Sequence, residues 1–188
     1  GDISSSGGGI VGQFAAAAAG SELTLIGCSS HGTIGGSSGG IVGSFSGINN
    51  GNITCISCWS TGDISDYAGS GGITGSGVVN ATIQNCYSTG VISGERAGGI
   101  VGDGADNVIV SNSYSTGNIT GFSSGGIVGA YGNNVTIMNC YSTGHVIDVT
   151  YPGSNHSNGA ICGFHNAVNN ISIAHCYSCG MVDNNGYF

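Results

Sequence analysis

Residues 125–129 read Gly-Gly-Ile-Val-Gly, and residues 139–144 read Asn-Cys-Tyr-Ser-Thr-Gly. This pair of motifs occurs six times, with small variations, along the 188-residue chain. The first motif begins at Gly8, Gly39, Gly71, Gly98, Gly125 and Gly159, with spacings of 31, 32, 27, 27 and 34 residues. Self-similarity at such a period is typical of repeat arrays, in which each unit packs only against its neighbours. We therefore expect a single repeat domain over residues 1–188, either complete or cut from a longer array.

The repeats have the pattern of short β-strands. We call the residue equivalent to Cys140 the cysteine position; it is occupied by Cys28, Cys58, Cys86, Ser113, Cys140 and Cys176. The residues five and three places before it are apolar, and a Thr, Ser or Ile stands between them. Alternation with period two predicts a strand with one buried face. A second apolar segment follows each Ser-Thr-Gly turn, and Gly-Gly-Ile-Val-Gly supplies a third.

Three short strands per unit predict an all-β fold, a parallel β-solenoid (β-helix) of about six coils with a roughly triangular section. Equivalent residues of successive coils then lie over one another at about 4.8 Å. The isoleucine of the glycine-rich motif is present in every copy, which predicts one buried ladder of Ile10, Ile41, Ile73, Ile100, Ile127 and Ile161.

Composition excludes several classes of partner. Arg96 is the only Lys or Arg, and the formal net charge is −8. Binding to phosphates requires clustered cations, so we expect neither nucleic acid nor an anionic membrane surface as a partner. No apolar run approaches the roughly 20 residues of a membrane helix.

Eight cysteines in a chain with only 5% charged residues favour an oxidising compartment, so we expect an extracellular or cell-surface protein.

The pairing of Gly-Gly-Ile-Val-Gly with Asn-Cys-Tyr-Ser-Thr-Gly resembles the GLUG repeat, and the resemblance covers essentially the whole chain. GLUG repeats occur in large secreted and surface-anchored proteins, including bacterial adhesins and surface proteases. The resemblance implies a solenoid stalk or surface array, and it implies no catalytic residues.

The cysteine position suggests disulfide bonds between adjacent coils, because stacked residues are near the Cα separation that a disulfide needs. Cys140–Cys176 is the pair we favour, and Cys58 has Cys28 and Cys86 as alternative partners. Free thiols packed in the core are the other interpretation. The spacings Cys55-x-x-Cys58, Cys176-x-x-Cys179 and Cys162-x-x-His165 are ligand-like, but the repeat places the 162 and 176 regions on different strands. We expect no metal and no cofactor.

Six Asn-x-Ser/Thr sequons mark candidate N-glycosylation sites, at Asn52, Asn80, Asn118, Asn134, Asn155 and Asn170. All except Asn118 and Asn155 share one repeat position beside a predicted corner, so attached sugars would form a row. The alternative is that Asn simply suits the turn and Thr the strand.

An aromatic residue follows the cysteine position in five successive copies, at Trp59, Tyr87, Tyr114, Tyr141 and Tyr177. This predicted aromatic ladder is either a platform on which sugars stack or an ordinary structural stack between coils.

Catalysis has little support in the sequence. The nine acidic residues stand mainly in corners, and no two are placed as the paired carboxylates of a glycosidase. We therefore expect a non-enzymatic extracellular structural protein, either a filament (fibril) subunit or a segment of an adhesin stalk. The alternative is a carbohydrate-binding or carbohydrate-cleaving β-helix. Neither end shows a capping element, so we expect copies to associate end to end into a homopolymer, with about 29 Å of axial rise per copy.

Overall fold

The computed structural model describes residues 1–66, 69–147, 158–163 and 170–183. Its regular elements in these ranges are all β-strands, and every pairing between them is parallel. They form two six-stranded sheets and one two-stranded sheet. The predicted all-β parallel solenoid is confirmed.

The first sheet contains the strands that precede the cysteine position. They are β1 (Glu22–Ile26), β3 (Asn52–Ile56), β5 (Val79–Gln84), β7 (Asp106–Ser111), β9 (Asn133–Met138) and β12 (Ile171–Ala174), in that spatial order. Equivalent residues pair directly, as Ala81 does with Val108 and Val108 with Val135. Burial alternates along each interior strand, which confirms the predicted inward positions.

The second sheet contains two-residue strands formed by the residue after the cysteine position, aromatic in five of the six coils, and the serine that follows it. They are β2 (Ser29–Ser30), β4 (Trp59–Ser60), β6 (Tyr87–Ser88), β8 (Tyr114–Ser115), β10 (Tyr141–Ser142) and β13 (Tyr177–Ser178). The two-stranded sheet pairs β11 (Val146–Ile147) with β14 (Val182–Asp183).

The remaining two segments of each coil pair through single bridges, such as Ile64 with Ile92 and Gly71 with Gly98. Each coil therefore has four paired segments rather than the three strands predicted. Tyr-Ser is too short to show any period in the sequence.

The buried core extends over about four turns, fewer than the six predicted. Ile41, Ile73, Ile100 and Ile127 are fully buried, but Ile10 is 47% exposed and Ile161 only partly buried. The prediction of one wholly buried isoleucine ladder was therefore wrong at both ends, because the first and last coils have a neighbour on one side only. A second, smaller core is formed mainly by the apolar segment that follows the Ser-Thr-Gly turn of each coil. It contains Ile34, Ile64, Ile92, Ala97, Ile119 and Val146.

The two leading glycines of the motif are required by backbone contacts. A Cβ on Gly98 would overlap the carbonyl oxygen of Val101 in the same coil. A Cβ on Gly99 would overlap the carbonyl oxygen of Gly126 in the next coil. A larger residue at either position would overlap the backbone of its own coil or of the next coil. This explains why the two glycines recur in the motif.

Candidate functional site

The predicted aromatic ladder is formed, and its ring faces cover one another. Adjacent ring centroids lie 4.8 to 5.9 Å apart and the planes differ by at most 9°. The rings are half-buried as far as Tyr141, whereas Tyr177 is 58% exposed. Sugars stack on ring faces, and among the described residues only the outermost faces of Trp59 and Tyr177 in this ladder lack an aromatic neighbour. The geometry is that of a stack that stabilises adjacent coils.

All eight cysteines are free thiols in the structure, so the disulfide predicted between Cys140 and Cys176 is not part of it. Their stacking is as predicted: the backbone N–H of Cys140 donates to Sγ of Cys176 at 3.4 Å. The Cys140 thiol in turn donates to the carbonyl of Met138 at 3.3 Å. Stacked neighbours are spaced at about 4.8 Å, whereas the Cβ atoms of a disulfide average about 3.8 Å apart. Cys28, Cys58 and Cys86 stack in the same way, with the N–H of Cys58 donating to Sγ of Cys86 at 3.4 Å.

Burial keeps two of the stacked thiols, Cys86 and Cys140, protonated. It raises the pKa of Cys86 to about 12 and that of Cys140 to about 11. The hydrogen bond between Cys55 and Cys58 raises the pKa of Cys55 and lowers that of Cys58 to about 6. A protonated thiol is a poor nucleophile and a poor metal ligand. Within the described ranges, no three His, Cys, Asp or Glu side chains converge in a way that could hold a metal ion.

The sequon asparagines lie on an outer edge. Asn52, Asn118, Asn134 and Asn170 are exposed and Asn80 is half-buried, whereas Asn155 lies outside the described residues. Several of these side chains already bond across coils. Asn170 Nδ2 donates to Asn134 Oδ1 at 3.0 Å, and Asn107 Nδ2 donates to Asn80 Oδ1 at 2.7 Å.

Sequence reasoning missed Asn107, because it begins no sequon. Its repeat position, six before Ser113, was the available signal. These hydrogen bonds between asparagine side chains of successive coils give the asparagines a structural role whether or not they carry sugar.

Two of the carboxylates accept hydrogen bonds from other coils, one from a backbone N–H group and one from the side-chain amide of an asparagine. Asp63 Oδ1 accepts from the N–H of Val91 at 2.9 Å, and Asp106 Oδ1 accepts from Asn133 at 2.9 Å. Burial raises the pKa of Asp103. Arg96 pairs with Glu95 at 3.2 Å and lies 5.9 Å from the centre of the Tyr131 ring.

The two terminal coils offer the most exposed surface of the core. In each six-stranded sheet, one strand at either end has a neighbour on a single side: β1 and β12 in the first sheet, β2 and β13 in the second. At inward positions, Ile10 is 47% exposed in the first coil, and Ile173 and Val182 are 48 and 70% exposed in the last coil, where Tyr177 is 58% exposed. Phe14, Ile26 and Met181 are exposed as well, but they stand at outward positions, where the interior residues Phe45 and Val91 are also exposed.

These two end faces are the candidate functional site. Each combines unpaired strand edges with uncovered apolar side chains, and each is built from the same repeat. Such edges recruit further strands unless they are blocked.

Comparisons with known proteins leave the family open. No protein-family model matches the chain, and no curated protein matches it. A solved structure that aligns with it is described as a "putative immunoglobulin A1 protease" from Bacteroides ovatus, with 25% sequence identity and a TM-score of 0.48. The alignment covers 80% of this chain and 49% of that one, so the chain spans about half of that protein. The resemblance to GLUG repeats therefore stands on the motifs alone. Among the described residues, no helix has the length and apolar character needed to cross a membrane.

Proposed function

We propose that this chain is a non-enzymatic structural solenoid that acts outside the cell, as a filament subunit that joins end to end or as a segment of an adhesin stalk. The single observation that carries the proposal is that, among the described residues, the outermost strands of both six-stranded sheets belong to the same repeat and have a neighbour on one side only. The sixth coil of one copy can then meet the first coil of the next through the glycine-rich, long and two-residue segments, with β14 taking the place that the Ile3 segment of the next copy has within a single copy. Such a contact does not close on itself and generates an open fibre.

The hydrogen bonds between interior coils indicate which bonds an end-to-end contact between two copies, here called the join, would contain. Between neighbouring coils, the N–H of Ile73 donates to the carbonyl of Ile100 at 2.9 Å, and the N–H of Gly102 donates to the carbonyl of Thr74 at 3.0 Å. In a join, the equivalent bonds would run from Ile161 to Ile10 of the next copy, and from Gly12 of that copy back to Cys162. The exposed side chain of Ile10 would be covered at the same time, and apolar burial favours association.

Several sequence features support a location outside the cell. Eight cysteines, six sequons and the near absence of charge are typical of secreted chains. The GLUG-like motifs point to the same kind of surface or secreted array. At least four of the sequon side chains are exposed where an enzyme could reach them.

The alternative of a carbohydrate-binding or carbohydrate-cleaving protein has less support. The faces of the aromatic ladder are covered by neighbouring rings. An open depression of about 370 Å³ on the outer face of β9 and β12 is lined by residues 134–136 and 170–172, which include no carboxylate.

The substitution Gly12→Ala tests the join without disturbing the monomer. A Cβ on Gly12 meets nothing within 4 Å. At the same repeat position in the second coil, a Cβ on Gly43 would lie 2.6 Å from Gln13 N and 2.7 Å from Gly12 C of the preceding coil. Alanine at position 12 should therefore obstruct only a second copy that stacks on the first coil. Thr82→Ala, on the exposed outer face of β5, is the matched control.

Association is measured by sedimentation velocity over a concentration series, with electron microscopy of the same samples. We expect the unmodified chain and Thr82→Ala to form oligomers and fibres as concentration rises, and Gly12→Ala to remain monomeric. A monodisperse monomer at high concentration for the unmodified chain, with no fibres, contradicts the proposal. Equal association of Gly12→Ala and the unmodified chain also contradicts it.

A further inference from the structure

One copy of the glycine-rich motif departs from the others at its second residue. Five copies have glycine there, and the sixth has alanine: Gly9, Gly40, Gly72, Gly99, Gly126 and Ala160. The five glycines belong to the coils on which another complete coil is stacked. Ala160 belongs to the coil that forms the open end face.

The glycine is needed because of the following coil. A Cβ on Gly72 would overlap the carbonyl oxygen of Gly99, and a Cβ on Gly126 would overlap that of Ala160. These obstacles are backbone atoms, so they cannot turn aside as the far end of a flexible side chain can. The same Cβ would also crowd a serine of its own coil, at 2.7 Å from Cβ of Ser142 in the case of Gly126.

Ala160 is accommodated where it stands because both constraints are relaxed. The serine of its own coil, Ser178, is exposed, whereas the equivalent Ser60, Ser88, Ser115 and Ser142 are fully buried. The Ala160 methyl group packs at the margin of the second core, which ends with Val146.

The edge of this face follows the four segments of the last coil. β14 (Val182–Asp183) pairs with β11 (Val146–Ile147) on one side. Among the described residues, the glycine-rich segment 159–162, β12, β13 and β14 each have a strand neighbour on one side only. Ala160 therefore lies in the first of the four segments to which a second copy could bond.

We propose that Ala160 weakens the joining of a second copy to this face, because its methyl group occupies the place that the carbonyl oxygen of the second copy's Gly9 would need. This inference rests on the proposed end-to-end function. The join then differs from an interior contact at one defined point: the glycine-rich segments meet, but the contact of Ala160 with Gly9 of the second copy is overpacked. Association of copies is accordingly weaker and more reversible than the stacking of coils within one copy.

The test is Ala160→Gly, with Ala174→Gly as the matched control. Ala174 lies in the same terminal coil and pairs in register with Met138 in an outward-facing column. Ala174→Gly gains the same backbone freedom, and the side chain it removes stands in an outward-facing column rather than over the place of the second copy's Gly9. Overpacking of a tight contact typically costs about 1–3 kcal/mol. Relief of the contact should therefore lower the concentration of half-maximal association roughly tenfold to a hundredfold, whereas Ala174→Gly should leave it unchanged.

The outcomes separate this inference from the proposed function. If the unmodified chain associates and Ala160→Gly does so no more tightly, the inference fails and the proposed function stands. If the unmodified chain stays monomeric and Ala160→Gly assembles, the inference holds and the native filament role fails. If all variants stay monomeric, both fail. The double variant Ala160→Gly with Gly12→Ala should return to monomer, and its assembly into fibres would overturn the assignment of this contact.

Discussion

The glycine at the end of the motif provides a direct measure of how tightly the coils are stacked. A Cβ on Gly102 would overlap the carbonyl oxygen of Gly69 and lie 2.9 Å from Gly75 C and from Ser76 N. The segment cannot retreat easily, because the N–H of Gly102 bonds to Thr74 at 3.0 Å. Overpacking costs about 1–3 kcal/mol, and the lower entropy of an unfolded chain with alanine offsets about 0.4–1 kcal/mol of that. We expect Gly102→Ala to destabilise the fold by about 1–2 kcal/mol.

The same substitution at Gly12 is the control, since it occupies the same repeat position with open space around its Cβ. Gly12→Ala should leave the free energy of unfolding unchanged or raise it slightly. The assay is denaturant unfolding followed by circular dichroism, at a concentration where the protein is monomeric. If both variants unfold at the same denaturant concentration, interior coils tolerate a Cβ and the steric account of the motif is wrong.

Four further outcomes follow from the core, the aromatic ladder, the thiols and the sequons. Ile100→Asp places a charge in a fully buried site and should cost 4 kcal/mol or more, about the limit for single substitutions, whereas Ile10→Asp should cost far less; thermal melting compares them. Tyr114→Ala removes ring contacts at 5.0 and 4.8 Å, and should cost about 1–3 kcal/mol in the same melting experiment. The Cys86 thiol has a pKa of about 12 when folded, against an ordinary value of 9.0 for a free thiol, so the unfolded state loses its proton first. Stability should fall as pH rises from 9 towards 12, and a flat dependence that is identical in Cys86→Ala would contradict this. In a glycosylating host the intact mass should exceed 18.3 kDa and decrease in Asn134→Gln, whereas the bare mass alone would remove the glycosylation claim.

The sequence predicted the parts of the fold that repetition encodes. The alternation around Ile83 and Val110 correctly gave the inward face, because a one-residue shift in register would have exposed the whole apolar set. Stacking of like residues followed from the period alone. The two-residue strands such as Tyr87–Ser88 were missed, since they show no alternation and their pairing depends on coils about 27 residues apart.

The candidate site was only partly visible in the sequence. The absence of capping elements suggested the end faces, but the motif could not reveal that Ile10 is half exposed. The substitution at Ala160 is plain in the alignment of copies, yet its meaning depends on where a Cβ points relative to the next coil. For the thiols, the sequence correctly predicted that Cys140 and Cys176 stack on adjacent coils. The separation of stacked side chains leaves them as two separate thiols in the structure.

Stacking by backbone pairing also determines how such a protein would respond to mechanical load. Tension applied along the solenoid axis pulls every coil-to-coil hydrogen bond in the direction of its own length, and the weakest place is a terminal coil with one neighbour. The chain would therefore peel from its end, one coil at a time. A coil between Gly98 and Gly125 contains 27 residues, which extend to roughly 90 Å once released, against about 4.8 Å of axial height while folded. A thread built this way yields by lengthening almost twentyfold, step by step, before any covalent bond is strained.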